Sequence, residues 1–246
     1  MLEGKTALIS GGGTGIGRAT GLRLAAEGAN IVVNYSRSAD DAIQTQKDIE
    51  ALGRGCMIYQ ADVSVDDQVR EMADAAIKEF KRLDILVNSA GITHFIPQPN
   101  LDDLKDEHWD SIMGVNVKGV FNCCRAVASE LKKQKGSIVN ITSIGGITGQ
   151  GSSIAYAASK AAAISVTKSL ARVMAPEVRV NGIAPGVVKT RWVDGHEDFV
   201  ERLAGETPLG RVATAEDVAE VAYSLIANAG FVTGQNIIVD GGTVIG

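Results

Sequence analysis

Short apolar runs rich in Val and Ile punctuate this chain, and between them apolar positions recur at helical spacing. The runs are KTALIS (5–10), NIVVNY (30–35), CMIYQADV (56–63), DILVNSAG (84–91), GSIVNIT (136–142), VRVNGIAPG (178–186) and QNIIVDGG (235–242). Most are continuous rather than alternating, as strands covered on both faces read. Segments 16–27, 40–52, 66–81, 102–132, 154–174 and 216–228 carry the helical period. Strand–helix alternation of this kind predicts an α/β fold, a parallel sheet with helices on both faces. No linker, repeat or low-complexity tract divides the chain, so one domain over 1–246 is expected. The alternation breaks only at 187–212, VVKTRWVDGHEDFVERLAGETPLGRV. A long excursion there predicts a binding loop or lid.

Composition narrows the function classes. The 246 residues are 45% apolar and 22% charged, an ordinary globular mix. The net charge of −5 speaks against a nucleic-acid partner. No apolar run is long enough to span a bilayer, so no membrane role is expected. The start, MLEGKTALISGGG, has no signal-peptide apolar region. A cytoplasmic location follows as an expectation. Cys56, Cys123 and Cys124 read as reduced core or interface fillers. The histidines His94, His108 and His196 have no ligand spacing, and no metal is expected.

Two motifs carry candidate chemistry. SGGGTGIGRATG follows the first strand and opens a helix, with Gly11, Gly15 and Gly17 in a G-x-x-x-G-x-G spacing. A strand, a glycine turn and a helix start together form an anion site for a pyrophosphate. No G-K-[ST] follows, so this is not a Walker A loop. The second motif lies in IAYAASKAAAISVTKSLARVM (154–174), where Tyr156 and Lys160 stand one turn apart on one face. A phenol titrates near pH 10, roughly three units too high for neutral acid–base work. A neighbouring ammonium lowers that value. On its own, a Tyr and Lys one turn apart is more often a half-buried ring beside a solvated charge.

The glycine spacing resembles that of the short-chain dehydrogenase/reductase family, and the likeness runs along essentially the whole chain. Asp62-Val63 ends the third strand, where that family holds adenine. Asn88-Ser89-Ala90-Gly91 resembles its N-N-A-G motif, with Ser in place of the second Asn. Asn116 in VNVKG, Ser143, and Tyr156-x-x-x-Lys160 match its catalytic set. Pro185-Gly186 and Thr190 match its P-G…T motif, and VTGQNIIVDGG closes the chain in its usual manner. The resemblance implies a single-domain Rossmann-type doubly wound fold. Its seven-stranded, mainly parallel sheet would have the order 3-2-1-4-5-6-7, with the cofactor at the switch point.

The same resemblance implies the roles. Tyr156 would exchange a proton with the substrate oxygen, and Ser143 would orient that oxygen. Lys160 would bind the nicotinamide ribose and lower the Tyr156 pKa. Asn116 would place a relay water. The cofactor would lie along Gly11, Thr14, Gly15, Ile16, Gly17, Ser36, Arg37, Asp62, Val63, Asn88, Ala90, Gly91, Tyr156, Lys160, Pro185, Gly186, Val188 and Thr190. The second strand ends Asn34-Tyr35-Ser36-Arg37, with no acid to hold an adenosine ribose. Arg37 suits a 2′-phosphate, with Ser36 as a neutral donor, so NADP(H) is preferred and NAD(H) is the second reading. Thr14 stands where many NADP-dependent relatives carry a second basic residue.

Within the family, length, NYSRSADDA and the compact C-terminal end resemble 3-oxoacyl-[acyl-carrier-protein] reductases of fatty acid synthesis. That implies reduction of a 3-oxoacyl thioester and an acidic carrier protein as partner. Lys132, Lys133, Lys135 and Arg172 are the candidate docking cations near the site mouth; as plain helix-end charges they need no partner. His94, Phe95, Ser143, Ile144, Gly145, Tyr156, Gly186, Trp192, Val193 and Phe199 are the expected substrate pocket. Trp192, Val193, Phe199 and Leu203 offer an apolar wall that also suits a small ketone, sugar or alcohol. A homotetramer is implied, packed through the Asn116 and Tyr156 helices. Two other classes predict different residues. A non-catalytic NADP(H) sensor would commonly lack the Tyr or Lys. A Rossmann-type methyltransferase would end the second strand with an acid and has no use for Ser143, Tyr156 and Lys160 together.

Overall fold

The computed structural model describes residues 1–195 and 197–245. The strands are β1 (Thr6–Ser10), β2 (Asn30–Tyr35), β3 (Cys56–Gln60), β4 (Ile85–Asn88), β5 (Ser137–Ile141), β6 (Arg179–Pro185), β7 (Val188–Lys189), β8 (Ala213–Thr214) and β9 (Asn236–Val239). The helices are α1 (Gly15–Ala26), α2 (Ala39–Ala51), α3 (Asp66–Phe80), α4 (Asp106–Met113), α5 (Val120–Gln134), α6 (Gly145–Thr148), α7 (Ile154–Met174), α8 (Glu197–Glu206) and α9 (Ala215–Ala227). The main sheet is seven-stranded, in the order β3-β2-β1-β4-β5-β6-β9. Every neighbouring pair in it is parallel. This is the expected order and hand of pairing. Each predicted strand run holds one strand of this sheet.

Alternate strand residues feed two cores. Ala7, Ile9, Ile31 and Val33 point to one face, where they meet Leu24, Ile49, Val218 and Tyr223 of α1, α2 and α9. Leu8 and Val32 point to the other, against Met72, Cys123, Leu131 and Met174 of α3, α5 and α7. Burial on both faces explains why the strands read as continuous apolar runs. Cys123 and Cys124 are buried and Cys56 is half-buried, and burial pushes all three thiols well above their ordinary value. Inert packing is the reading this supports.

The segment 102–132, expected as one helix, is broken. Leu101–Asp103 forms a 3₁₀ turn, and α4 starts afresh with Lys105 N–H donating to His108 Nδ1 at 3.1 Å. Gly114–Gly119 is then a π-helical turn leading into α5. The wide turn carries Asn116 toward the loop after β4, and its last residue packs tightly. A Cβ at Gly119 would fall 2.6 Å from Val63 Cγ2. Single π turns are rare and concentrate at functional sites.

The excursion after β6 has tied ends. β7 and β8 pair in parallel, Val188 opposite Ala213 and Lys189 opposite Thr214. Thr214 caps α9, accepting from Asp217 N–H while the Asp217 carboxylate accepts from Thr214 N–H. At the other end of α9, the Arg179 guanidinium donates to Leu225 O (2.7 Å), Ile226 O (2.9 Å) and Ala229 O (3.0 Å). It thereby covers carbonyls that a helix end leaves unpaired. Arg179→Met should lower unfolding free energy by about 2 kcal/mol or more, since bonds to a charged group are removed from a half-buried helix end. Urea denaturation followed by circular dichroism is the measurement. Unchanged stability would mean that water serves those carbonyls equally well.

Candidate active site

The sheet's carboxyl edge is where the geometry for ligand binding arises. Connections from β1 and β4 leave to opposite faces, which opens a crevice between their ends. A single cleft of about 1490 Å³ runs along that edge. Ordinary small-ligand pockets reach roughly 1,000 Å³, so a dinucleotide and a substrate fit here together.

At one end lies the glycine loop. Gly11 has φ +65°, and a Cβ on it would lie 2.8 Å from Ala90 Cα. A Cβ on Gly17 would lie 2.3 Å from the Gly11 carbonyl oxygen. Only glycine therefore lets the loop close on itself and on the end of β4. The first turn of α1 has no acidic residue, and Thr14 makes no side-chain cap. Its opening N–H groups face the cleft without a competing side-chain acceptor, as a pyrophosphate needs. Asn34, which the sequence reading did not assign, fixes the loop. Its Oδ1 accepts from Gly11 N–H at 3.3 Å, and its Nδ2 donates to Ala61 O at 3.0 Å. A lone amide inside the apolar run NIVVNY was the available signal. Ser36 and Arg37 line the cleft beyond this point, both exposed. Arg37 has no ion-pair partner among the described residues, so its guanidinium is available to a phosphate.

At the other end lie the acid–base candidates. Ser153 caps α7, accepting from Tyr156 N–H at 3.2 Å, and so sets the start of the helix one residue ahead of Ile154. Lys160, 6% exposed, donates from Nζ to Ile141 O at 2.9 Å, with Nζ 5.7 Å from the Tyr156 ring centroid. Burial lowers its pKa to about 8. Ser143 accepts from Gly145 N–H at 3.0 Å and hydrogen bonds the Tyr156 phenol. Burial nevertheless pushes that phenol above its ordinary value, the Ser143 bond offsetting part of the rise. The lowering expected from Lys160 is therefore not supplied by the chain alone, because the ammonium lies over the ring at 5.7 Å from its centroid and burial disfavours its charged form. The Trp192 ring closes this end, 6.1 Å from the Tyr156 ring.

Most expected site residues line this cleft. Gly11, Thr14, Gly15, Ile16, Ser36, Arg37, Asp62, Val63, Ala90, Gly91, Pro185, Gly186, Val188 and Thr190 do so, as do Phe95, Ser143, Ile144, Gly145, Tyr156, Lys160, Trp192 and Val193. Others stand elsewhere. Gly17 packs behind the loop. Asn88, expected against the cofactor, is buried and donates to Asn140 Oδ1 at 2.8 Å, because the last side chain of β4 turns into the core. Asn116 is buried too. Its Oδ1 accepts from Ile92 N–H (2.9 Å), and its Nδ2 donates to Ile92 O and Ser159 Oγ (both 3.0 Å). His94, expected in the pocket, turns toward α4, with Nε2 3.1 Å from Ser111 Oγ and its ring 4.5 Å from that of His108. The side chain of Phe199 lies outside the described residues. Lys132, Lys133, Lys135 and Arg172 are exposed at the far ends of α5 and α7. Both helices run back from the cleft edge, so these cations stand at the opposite edge of the sheet from their own chain's cleft, not at its mouth.

The buried Lys160 carries a stability signature. Its folded pKa near 8 lies below the ordinary 10.5, so the unfolded chain binds more protons between those values and stability rises with pH across that window. Relative to Lys160→Met, the wild-type chain without cofactor should gain about 2–3 kcal/mol from pH 7 to 10.5. At pH 7 the variant should be the more stable of the two. Parallel stability-versus-pH curves would show the ammonium is not penalised by burial.

Known proteins agree with this architecture. Residues 11–244 match the family model described as enoyl-(acyl carrier protein) reductase. A 3-oxoacyl-[acyl-carrier-protein] reductase of Thermotoga maritima is 40% identical, with 99% of each chain covered. One of Staphylococcus epidermidis is 38% identical over 97% of this chain and 98% of its own. The crystal structure of a short-chain type dehydrogenase/reductase from Mycobacterium marinum superposes with a TM-score of 0.92 at 32% identity, covering 100% of this chain and 97% of that one. With the glycine loop, the parallel sheet and the Ser143–Tyr156–Lys160 cluster in one cleft, the chain belongs to the short-chain dehydrogenase/reductase family, oxidoreductases that interconvert carbonyl and alcohol with a nicotinamide cofactor.

Proposed function

We propose that this enzyme reduces a 3-oxoacyl thioester to the 3-hydroxyacyl product with NADPH. The observation that carries the reading is a phenol bonded to Ser143 above a buried lysine, in a cleft whose far end holds a glycine loop and an unpaired arginine. The relatives at 38–40% identity named as 3-oxoacyl-[acyl-carrier-protein] reductases support the substrate class. A cytoplasmic setting accords with it, and no described helix is long and apolar enough to cross a membrane.

The cleft fits a dinucleotide on its own geometry. The opening N–H groups of α1 would hold the pyrophosphate, Asp62 and Val63 the adenine, and Ser36 and Arg37 a 2′-phosphate. Lys160 would hold the nicotinamide ribose. When bound, the nicotinamide supplies the hydride. The chain's own residues manage the oxygen and the proton. Ser143 donates to the substrate carbonyl oxygen and orients it beside Tyr156. Tyr156 Oη gives its proton to that oxygen as the carbonyl is reduced, and takes it back in the reverse direction. A phenol held high by burial is a neutral donor at working pH. For oxidation it must be lowered, and the Lys160 ammonium together with the cationic ring of oxidised cofactor is the source of positive charge. Gly91 keeps the neighbourhood of Lys160 open: a Cβ there would lie 3.4 Å from Asn116 Oδ1 and 3.7 Å from Lys160 Nζ. Asn116 would then position a relay rather than touch substrate.

If an acidic carrier protein docks through Lys132, Lys133, Lys135 and Arg172, it reaches the cleft of a partner subunit, as a homotetramer packed through α5 and α7 would allow. The second reading, a small ketone, sugar or alcohol as substrate, rests on Trp192, which narrows the pocket above Tyr156. The 187–212 segment is the lid in either case.

Tyr156→Phe should cut kcat at least about 10²–10⁴-fold, the range of a lost general acid, while NADPH affinity changes little. Retained turnover in that variant rules out the acid–base role. Arg37→Asp should shift the NADPH-to-NADH ratio of kcat/KM toward NADH by about tenfold or more, as loss of a charged contact implies. The assay is steady-state reduction of an acetoacetyl thioester with each cofactor. No turnover with either, alongside intact NADPH binding, would move the substrate to the small-ketone class.

A further inference from the structure

We infer that Arg191, on the lid, is a second reader of the cofactor's 2′-phosphate and that Asp41 holds it in place until the phosphate arrives. The inference rests on the NADPH reading above. Its starting point is an arginine that crosses the cleft. Arg191 follows Thr190 at the root of the lid, and a Cβ on Gly15 would lie 3.4 Å from Thr190 Cγ2. The root of the lid therefore lies against the glycine loop. From there Arg191 reaches across to the start of α2. Its Nη2 donates to Ser38 Oγ at 2.8 Å, and its Nη1 pairs with Asp41 Oδ2 at 2.7 Å. Arg191, Ser36, Arg37 and Ser38 all line the one cleft.

This placement brings a second guanidinium to within one residue of Arg37. The glycine loop itself brings none, since Thr14 stands between Gly13 and Gly15, where a basic residue would otherwise be placed. The phosphate end of the cleft would thus draw one cation from β2 and the other from the lid. α2 cannot slide away from this arrangement. Thr45 Oγ1 donates to Gly13 O at 3.0 Å, and a Cβ on Gly13 would lie 3.3 Å from Ala42 Cα, so helix and loop are packed together.

The pair with Asp41 is a weak hold. The two side chains are 54% and 49% exposed, and ion pairs in water at that exposure contribute little. A phosphomonoester carries nearly two charges and accepts guanidinium donors in a bidentate geometry. It outcompetes a single exposed carboxylate for Arg191. NADH carries only a neutral 2′-hydroxyl at that place, so with NADH Arg191 stays on Asp41. The consequence is a lid whose root is latched to α2 by protein alone in the free enzyme, and by the cofactor when the 2′-phosphate is present.

The experiment is equilibrium binding of NADPH and NADH by nucleotide fluorescence, to the full chain and to Arg191→Gln, Asp41→Asn and Arg37→Ala. Arg191→Gln should weaken NADPH about tenfold and leave NADH within about twofold, the loss expected for one charge-assisted contact. Asp41→Asn should tighten NADPH a few-fold by removing the competing carboxylate, again with little change for NADH. Equal losses for both cofactors in Arg191→Gln would overturn the inference, because they place the guanidinium on a shared part of the nucleotide or on the lid alone. No loss for either would overturn it as well. The NADPH reading is judged separately, from the wild-type ratio and from Arg37→Ala. Adenosine 2′,5′-bisphosphate, measured against AMP as a competitor, gives a second readout independent of the nicotinamide half. Arg191→Gln should weaken the bisphosphate selectively, and an unchanged ratio of the two competitors counts against the inference.

Discussion

A buried polar link between β5 and α7 sets everything at the catalytic end. Asn140, fully buried, accepts from Asn88 on β4 and donates to Thr167 Oγ1 of α7 at 2.9 Å. Lys160 meets the next carbonyl on the same strand, Ile141 O. Residues 160 and 167 are seven apart, two helical turns on one face, so both contacts grip the same side of α7. An unpaired amide in this core would cost about 1–3 kcal/mol, so the link resists rotation of the helix about its axis. With α7 fixed in rotation, Tyr156 one turn earlier can only face the cleft. The Asn116 bonds to Ile92 and Ser159 add a third anchor from the loop after β4.

The two ends of the cleft obtain their charge by different means. At the nucleotide end, dipoles and exposed guanidinium groups face water, and screening and exchange are easy. At the other end the Lys160 ammonium is buried, and its charged form is held at a cost. Positive potential near Tyr156 therefore strengthens only when a ligand seals the site or brings charge of its own. The chain without cofactor leaves the phenol high and the lysine low. A phenol so held keeps its proton at neutral pH.

The fold was largely legible in the sequence because both-face burial leaves a strong mark. Seven apolar runs, most of them continuous, became the seven strands of one sheet, in the expected order. The cleft-lining motifs were equally legible, since Gly11, Tyr156 and Lys160 owe their placement in the cleft to local geometry. Two of the departures share a cause, which is that side-chain direction at the end of a strand or loop is decided by tertiary contacts. Asn88 and His94 lie in or beside recognisable motifs, yet the first turns into the core and the second toward Ser111. The π turn at Gly114–Gly119 could not be read from periodicity, because a single widened turn shifts the apolar phase by less than the pattern resolves. Lys132, Lys133, Lys135 and Arg172 were misplaced because helix direction relative to the cleft is a property of the sheet, not of the helix.

The lid is where sequence and fold part company. Its ends are pinned by the β7–β8 pair and by the Thr214–Asp217 cap, both joined to elements of the rigid scaffold. Pro185 and Gly186 lie before the first pin, whereas Thr190 lies just inside the pinned segment, next to Arg191 and Trp192. The Ser143–Tyr156–Lys160 cluster sits at the end of β5 and on α7, whereas the wall facing it comes from the lid. In this chain the wall presents Trp192 to Tyr156 and sends Arg191 the other way, toward the nucleotide. Two adjacent residues thus face the two ends of one cleft, so a change in the turn that carries them would alter substrate fit and cofactor contact together. The fit of a ligand in this cleft therefore depends on that short turn as well as on the Ser143–Tyr156–Lys160 cluster.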